Sequence, residues 1–423
     1  SLLGIILSII LIFTITRKLF KEKTAFLSII FLLCSLLLIS EIHQAKTDGF
    51  LYLFINICNS ISLLKINQFS NKGKKEKDKL LTLIFWISLG IGIMIKGPII
   101  LIFVGLPLFT YSLLTKNFFL IKSFHSYFGY IIFFLITLPW FIIITIQSEG
   151  IFWYESVIND LLRKVSKGQE SHGFPPGYYL ILLFFFFWPG SSFILNWIID
   201  TFKNRKKILI SDQRIVFLLC WFFPCFIFYE FVPTKLPHYV LPCYTALSIL
   251  VSIFIVKKQR LSNFLNLKTF YSTLIFPLTY ISLFIISIKI YSKITSEVLL
   301  TIVLLLLILL VILFQIKKQN FRNFLISAVL FQVTVYLSMV HILNPHLKIF
   351  WISKNINTVI SQEKSIENIY HSGFNEPSLV FLVSHKAMRI RPELMVEKYN
   401  EDPKSMFIVT QQNMNKFLNK LNN

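Results

Sequence analysis

The chain has 423 residues, of which 55% are hydrophobic and 16% aromatic, and its mean hydropathy is +0.69. These values exclude an ordinary soluble globular protein and indicate a polytopic membrane protein. The formal net charge of +22 alone would suit a nucleic-acid-binding protein, but the lysines and arginines form short clusters between apolar runs, so we predict no nucleic-acid partner.

Apolar runs long enough to cross a hydrocarbon core of about 30 Å recur along most of the chain. We predict membrane spans at residues 1–16, 25–40, 50–66, 80–95, 99–115, 124–146, 178–200, 214–232, 240–256, 269–290, 297–316 and 324–343. The predicted fold class is therefore an all-α polytopic membrane protein with about 12 transmembrane helices.

The composition changes from about Asn344 onward. Polar stretches such as "SKNINTVISQE" alternate there with two short runs of β type, "SLVFLVS" and "SMFIVTQ". We therefore predict a transmembrane domain at residues 1–343 and a small α/β domain outside the membrane at residues 344–423.

Basic clusters follow alternate spans and begin at Arg17, Asn71, Lys116, Asn204, Lys257 and Lys317. By the positive-inside rule these loops are cytoplasmic. The other connections and the C-terminal domain then lie on the extracytoplasmic side of the inner membrane. The first span would run from outside to inside, so synthesis from a cytoplasmic N-terminus requires one more helix before Ser1.

Two candidate site residues lie at helix boundaries of the predicted outer face. Asp48 in "AKTDGF" opens the third span, either as a helix N-cap together with Thr47 or as a catalytic carboxylate. Lys96 in "IMIKGPII" precedes a Gly-Pro break, either as a snorkelling interfacial lysine or as a cation that binds an anion. The sequence alone leaves both pairs of interpretations open.

The long predicted outer loop, residues 147–177, is rich in ionisable and aromatic groups. Glu155, Arg163 and His172 are candidate substrate-binding residues, and Trp153 and Tyr154 suit the lipid headgroup region. The simpler interpretation is an amphipathic interfacial helix with a solvated polar face. The two interpretations are compatible, since a helix at the interface can also contact a lipid-linked substrate.

The stretch "VPTKLPHYVLP" places Lys235 and His238 among prolines between two apolar runs. Pro233 and Pro237 disfavour regular helix there, so the two polar groups are expected at the membrane boundary, where a lipid phosphate would lie. A lysine can bind phosphate as a point charge. We therefore predict a phosphate site in this segment rather than two incidental polar residues.

These segments resemble the C-type-fold membrane glycosyltransferases, specifically the bacterial aminoarabinose-transferase-like branch related to the dolichyl-phosphate-mannose protein mannosyltransferases. The similarity is carried by "AKTDG", "GIGIMIKGP", "FWYESVINDLLRKVSKGQESHGFPPGYY", "TKLPHYVLPCYTAL" and "EPSLVFL", which cover most of the chain in the expected order. The resemblance implies sugar transfer from a polyprenyl-phosphate donor to lipid A or another glycan or protein acceptor.

The resemblance also implies roles for individual residues. Asp48 matches the family's second acidic position and is the catalytic candidate, and Lys96 lies in its "KGP" turn. Lys235, His238 and Tyr239 lie in its "KLPHY" loop as candidate substrate-binding residues. The family's first helix and first acidic loop, thought to supply the catalytic base, are absent before Ser1. On this ground we expect a truncated chain, either a fragment or the product of a decayed gene.

Three functions are therefore compared. The leading hypothesis is a glycosyltransferase that uses a lipid-linked sugar and works among membrane lipids. The alternative is a polytopic transporter or flippase of a lipid-linked substrate, although transport pathways usually place ionisable groups near the midplane. The third is an inactive remnant. The sequence identifies neither the sugar nor the acceptor, and it leaves open whether a divalent metal is a cofactor.

Overall fold

The computed structural model describes residues 1–72, 78–162, 173–206, 212–258, 265–291, 293–362, 368–374, 376–385, 387–402 and 404–421. The chain forms two compact units. The first comprises Ser1–Ile281 and Leu304–Thr334, and the second comprises Ser282–Val303 and Val335–Asn423. The domain boundary predicted near residue 344 stays a prediction.

Helices dominate the described chain. Up to residue 258 they are α1 (Leu2–Phe20), α2 (Glu22–Cys34), α3 (Leu36–Ile42), α4 (Asp48–Lys72), α5 (Lys79–Lys96), α6 (Ile99–Thr115), α7 (Phe119–Ser123), α8 (Tyr127–Gln147), α9 (Ile151–Trp153), α10 (Tyr178–Phe186), α11 (Ile194–Lys203), α12 (Gln213–Phe231) and α13 (Leu241–Lys258). A π-helical run, Tyr154–Leu162, follows α9, and 3₁₀ turns at Gly190–Phe193 and Pro237–Val240 precede α11 and α13.

The remaining elements follow in the same order. The helices are α14 (Leu267–Tyr291), α15 (Ser296–Lys317), α16 (Phe321–Ser338), α17 (Asn344–His346), α18 (Ile352–Gln362), α19 (Pro377–Leu382), α20 (Pro392–Glu401) and α21 (Gln411–Leu421). The strands are β1 (Ile369–Ser372), β2 (Met388–Arg389) and β3 (Met406–Val409). A π-helical run, Met339–Leu343, joins α16 to α17, and a 3₁₀ turn at Lys348–Phe350 precedes α18.

All twelve predicted spans are helical, which confirms the all-α membrane fold. Among the described residues, nine helical runs are long and apolar enough to cross a membrane by themselves. Two further predicted spans are bent helix pairs, α2–α3 at 66° and α10–α11 at 112°, and the last is α6, which has 17 residues. Ser35 breaks the first pair with extended backbone, and Pro189 lies in the break of the second.

Small and polar side chains explain which spans lie innermost. The buried faces of α4 and α13 carry Asn59, Ser62, Ala246 and Ser248, which let neighbouring helices approach closely. At one such contact a Cβ on Gly4 of α1 would lie 2.4 Å from the carbonyl oxygen of Gly49. By contrast, most side chains of α8 and α15 are exposed, and most of the exposed ones are apolar, as expected of helices that face lipid.

The first unit has two chemically different ends. One end gathers the starts of α4, α6 and α13 with the ends of α5 and α12. The opposite end carries basic residues in ordered contacts: Arg214 binds Asp212 and the carbonyl oxygen of Leu19, and Lys258 pairs with Asp200 at 2.9 Å. The alternation of cytoplasmic and extracytoplasmic connections stays a prediction.

The second unit contains a small parallel sheet with the strand order β2–β1–β3. In the register of β1 with β3, Tyr370 pairs with Phe407. The strand predicted in "SMFIVTQ" is β3, but the strand predicted in "SLVFLVS" is wrong because this run forms α19. Pro377 starts that helix at the first position, where its fixed φ suits a helix and its missing N–H is not needed.

Candidate functional site

A cleft opens at the end of the first unit where five helix ends meet. Its volume is about 730 Å³, counting the space open to solvent. Its walls are mostly apolar or aromatic, and its ionisable groups other than tyrosines are Asp48, Lys96 and His238. The apolar and aromatic lining residues are Leu51, Tyr52, Ile99, Ile102, Phe103, Phe228, Tyr229, Val232, Tyr239, Leu241 and Pro242.

The "KGP" turn directs Lys96 toward the start of α4. Gly97 has φ +65°, a conformation that favours glycine, and its N–H caps α5 on the carbonyl of Ile93. The chain thus reverses sharply into α6 and leaves Lys96 at the end of α5. Its ammonium donates to Oδ1 of Asp48 at 2.5 Å, with side-chain exposures of 29% for Lys96 and 12% for Asp48.

His238 lies in the 3₁₀ turn Pro237–Val240 between two carboxylates. Its Nε2 is 3.9 Å from Oδ1 of Asp48, and its Nδ1 is 3.7 Å from Oε1 of Glu41. Both distances are longer than a hydrogen bond, so the ring lies near the two carboxylates without a hydrogen bond to either of them.

Glu41 is the residue that the sequence interpretation missed. Position 41 lies outside the predicted spans 25–40 and 50–66, but the structure puts Glu41 in the last turn of α3, only 2% exposed. Its Oε2 accepts no hydrogen bond from any residue that the structure describes. The available signal was an acid at the end of an apolar run, which is costly in a membrane and therefore informative.

Lys235 lies apart from the cleft lining. It is 1% exposed, and its ammonium donates to three carbonyl oxygens, those of Tyr229 at 3.1 Å, Glu230 at 2.7 Å and Val232 at 2.9 Å. Burial lowers the pKa of Lys235 below its usual value, and the nearby Glu230 carboxylate opposes that effect. The lysine thus closes the end of α12, where helix carbonyls lack partners and a cation is favoured.

The end of the long outer loop is attached to this turn. Gly173 forms a β-bridge with Thr234, and the Glu230 carboxylate accepts the N–H groups of Gly177 and Leu180 at the start of α10. The hydroxyl of Tyr179 donates to the carbonyl of Leu236. The "PPGYY" and "KLPHY" motifs are therefore neighbours in space.

The structure brings four of the eight predicted site residues together in the cleft: Asp48, Lys96, His238 and Tyr239. Glu155 is exposed on the π-helical run Tyr154–Leu162 and does not line the cleft. Arg163 and His172 lie outside the described residues. In the described part of the chain, no group of three or more His, Cys, Asp or Glu side chains is arranged to hold a metal ion.

Several known proteins with similar sequences are named as sugar transferases. A family model of dolichyl-phosphate-mannose-protein mannosyltransferases matches residues 1–143. An undecaprenyl phosphate-alpha-4-amino-4-deoxy-L-arabinose arabinosyl transferase of Proteus mirabilis is 24% identical over 283 residues, covering 63% of this chain and 48% of that protein. Its counterpart in Wigglesworthia glossinidia brevipalpis is 27% identical, covering 60% of this chain and 43% of that protein.

The fold matches a solved structure over nearly the whole chain. The crystal structure of ArnT from Cupriavidus metallidurans bound to undecaprenyl phosphate superposes with a TM-score of 0.71 at 18% identity, covering 96% of this chain and 74% of that one. This chain has the C-type glycosyltransferase fold and is similar to the aminoarabinose transferases. The predicted resemblance is thereby confirmed. The chain spans about half the length of the curated relatives it matches.

Proposed function

We propose that this chain is a membrane glycosyltransferase that moves a sugar from a polyprenyl-phosphate donor to lipid A or another envelope acceptor. The observation that carries the proposal is the Lys96–Asp48 ion pair at the polar end of an apolar cleft. Such a cleft fits a donor with one anionic group on a long hydrocarbon chain. The names of the relatives and the undecaprenyl phosphate bound to the structural neighbour support the same donor class.

In the proposed reaction the acceptor hydroxyl attacks the anomeric carbon of the donor sugar. The new carbon–oxygen bond forms as the bond to phosphate breaks, and the electron pair leaves with the polyprenyl phosphate. Lys96 stabilises the developing phosphate charge. In this proposal Asp48, the carboxylate that lines the cleft, takes the acceptor proton in place of the acidic loop that the resemblance implies as the base. Once Lys96 turns to the phosphate, the Asp48 carboxylate is released from the ion pair and can approach the acceptor hydroxyl.

The other predicted residues take supporting roles in this proposal. His238 and Tyr239 contact the donor sugar or its phosphate from the "KLPHY" turn. Glu155, Arg163 and His172 remain proposed contacts of the outer loop with lipid or acceptor. In this proposal the cleft lies at the extracytoplasmic face of the inner membrane, which is supported by the basic Arg214 and Lys258 at the opposite end of the helices.

The test is binding of undecaprenyl phosphate to purified protein in nanodiscs. Lys96→Met removes one charge-assisted contact, so affinity should fall by about ten- to a hundredfold, or roughly 1.5–3 kcal/mol. Lys258→Met is the matched control, because it breaks a Lys–Asp pair of similar exposure at the other end of α13. Equal affinities of the two variants for undecaprenyl phosphate would show that Lys96 does not bind the phosphate.

Sugar transfer distinguishes the enzyme from a transporter with the same cleft. Membrane vesicles would be given polyprenyl phosphate carrying a labelled sugar, and labelled acceptor lipid would be extracted and counted. Asp48→Asn keeps the side-chain shape but cannot accept the proton, so transfer should fall by about 10²- to 10⁴-fold. Transfer by Asp48→Asn at the wild-type rate would contradict the role of this carboxylate.

A further inference from the structure

Four large apolar residues in a row are exposed just after the last membrane span. Ile349 is 65% exposed, Phe350 63%, Trp351 48% and Ile352 48%. The last of them, Ile352, is the first residue of α18. A continuous apolar surface of this kind usually marks contact with a protein or a membrane.

Two neighbouring helical runs indicate the depth of this segment in the membrane. The run Phe321–His346 has 26 residues, or about 39 Å of helix, whereas a hydrocarbon core is about 30 Å thick. Its end therefore reaches the headgroup region. Tyr291, the last residue of the 25-residue helix α14, packs its ring on Phe350 with the centroids 5.2 Å apart. Aromatic residues cluster in this way at membrane–water interfaces.

Helix α18 is amphipathic. Ile352, Ile356, Val359 and Ile360 form one stripe at helical spacing, and Ile352 and Val359 are about half exposed. The polar residues of the same helix include Lys354, Thr358 and Ser361, all of them exposed. The only buried residue of α18, Ser353, hydrogen-bonds to Ser378 of α19. At about 100° per residue, Ser353 lies beside Ile360 at one edge of the stripe, so the contact with protein borders the stripe and leaves Ile352 and Val359 exposed.

Charge favours lipid over protein as the partner. Between Asn344 and Gln362 the sequence has two lysines, one histidine and no acidic residue. Such a segment is attracted to anionic headgroups while its apolar stripe enters the acyl boundary. The length of the connection agrees with this position: Ile352 is six positions after His346, so the start of α18 lies within about 20 Å of the end of the span.

We propose that α18 and the aromatic run before it lie in the membrane interface, with the stripe of Ile352 and Val359 facing the acyl chains. In this arrangement α18 is a second attachment of the C-terminal part of the chain, after the last span. The hydrogen bond from Ser353 to Ser378 extends the attachment to α19, whose Phe381 is 88% exposed. This proposal does not depend on the activity of the cleft.

The test places spin labels on single cysteines of the full chain in vesicles of phosphatidylcholine and phosphatidylglycerol. Labels at Ile352 and Val359 report the stripe, and labels at Lys354 and Thr358 are matched controls on the same helix. All five native cysteines are buried, and they would be replaced for labelling. Collision with oxygen reports lipid, and collision with a water-soluble nickel chelate reports solvent.

The stripe labels are expected to collide severalfold more with oxygen than with the chelate, and the control labels the reverse. Equal chelate access at Val359 and Thr358 would show that α18 is in water and would overturn the proposal. Protection of Val359 from both reagents, with dipolar broadening that disappears on dilution with unlabelled protein, would identify a second copy as the partner. That outcome would overturn it as well.

Discussion

Replacing Lys235 distinguishes a phosphate-binding lysine from a structural one. The sequence assigned Lys235 to the donor phosphate, but its ammonium is buried and donates to three carbonyl oxygens. In Lys235→Met the stem still packs while the three acceptors lose their donor. An unsatisfied buried carbonyl costs about 1–3 kcal/mol, and solvent or local shifts can satisfy some of the three. We therefore expect a loss of about 3–5 kcal/mol, typical of breaking a buried charged contact.

The assay measures thermal unfolding in detergent and undecaprenyl phosphate affinity on the same preparations. Lys235→Met should unfold at a clearly lower temperature and bind the lipid with nearly wild-type affinity at a temperature where it is folded. Lys96→Met should show a large loss of affinity with a smaller fall in unfolding temperature, since this ion pair is partly exposed, at 29% for Lys96 and 12% for Asp48. A ten- to hundredfold loss of affinity in Lys235→Met with an unchanged unfolding temperature would refute this reasoning and restore the phosphate role.

Three further outcomes are expected. Burial lowers the pKa of Lys235 in the folded protein, so the unfolded chain binds this proton more tightly. The free energy of unfolding, relative to that of Lys235→Met, should therefore rise as the pH increases toward 10.5, the usual pKa of lysine. Unfolding measured over a series of pH values checks this. Gly4→Ala should destabilise the α1–α4 contact, whereas Gly105→Ala, whose Cβ would meet nothing within 4 Å, should be neutral in the same unfolding assay. In intact spheroplasts an impermeant maleimide should label Ala45→Cys but not Lys122→Cys, and the reverse pattern would invert the topology.

Hydropathy identified the spans but not their interruptions. Hydropathy averaged over a window of about 20 residues does not detect a single break at Ser35 or Pro189. The bent pairs α2–α3 and α10–α11 were therefore predicted as continuous spans. The sheet was harder to predict. Strand β1, "IYHS", is four residues long, and its partners are distant in the chain, so no local pattern marks it. The run "SLVFLV" has a strand-like composition, and Pro377 at its start was the signal for helix.

The predicted part of the site came from the cost of ionisable groups in a membrane. Asp48, Lys96 and His238 each occur at a break between apolar runs, where that cost is lowest and a functional group is tolerated. The structure adds that the three belong to one cleft. It also shows that Glu41 lies 3.7 Å from His238. The two residues are almost two hundred positions apart, so no rule of sequence spacing connects them.

The local sequences of Lys96 and Lys235 are similar, but the two ammonium groups have different surroundings in the structure. Both follow apolar runs at helix ends, and both precede a proline within two residues. After Lys96 the backbone reverses at Gly97, so its ammonium meets the side chain of Asp48 at the cleft. After Val232 the chain stays extended, and Lys235 folds back onto the carbonyls that α12 leaves open. A lysine whose ammonium already donates to several protein oxygens has no donor left for a ligand. Which oxygens surround the ammonium depends on the tertiary fold, and the local sequence does not show it.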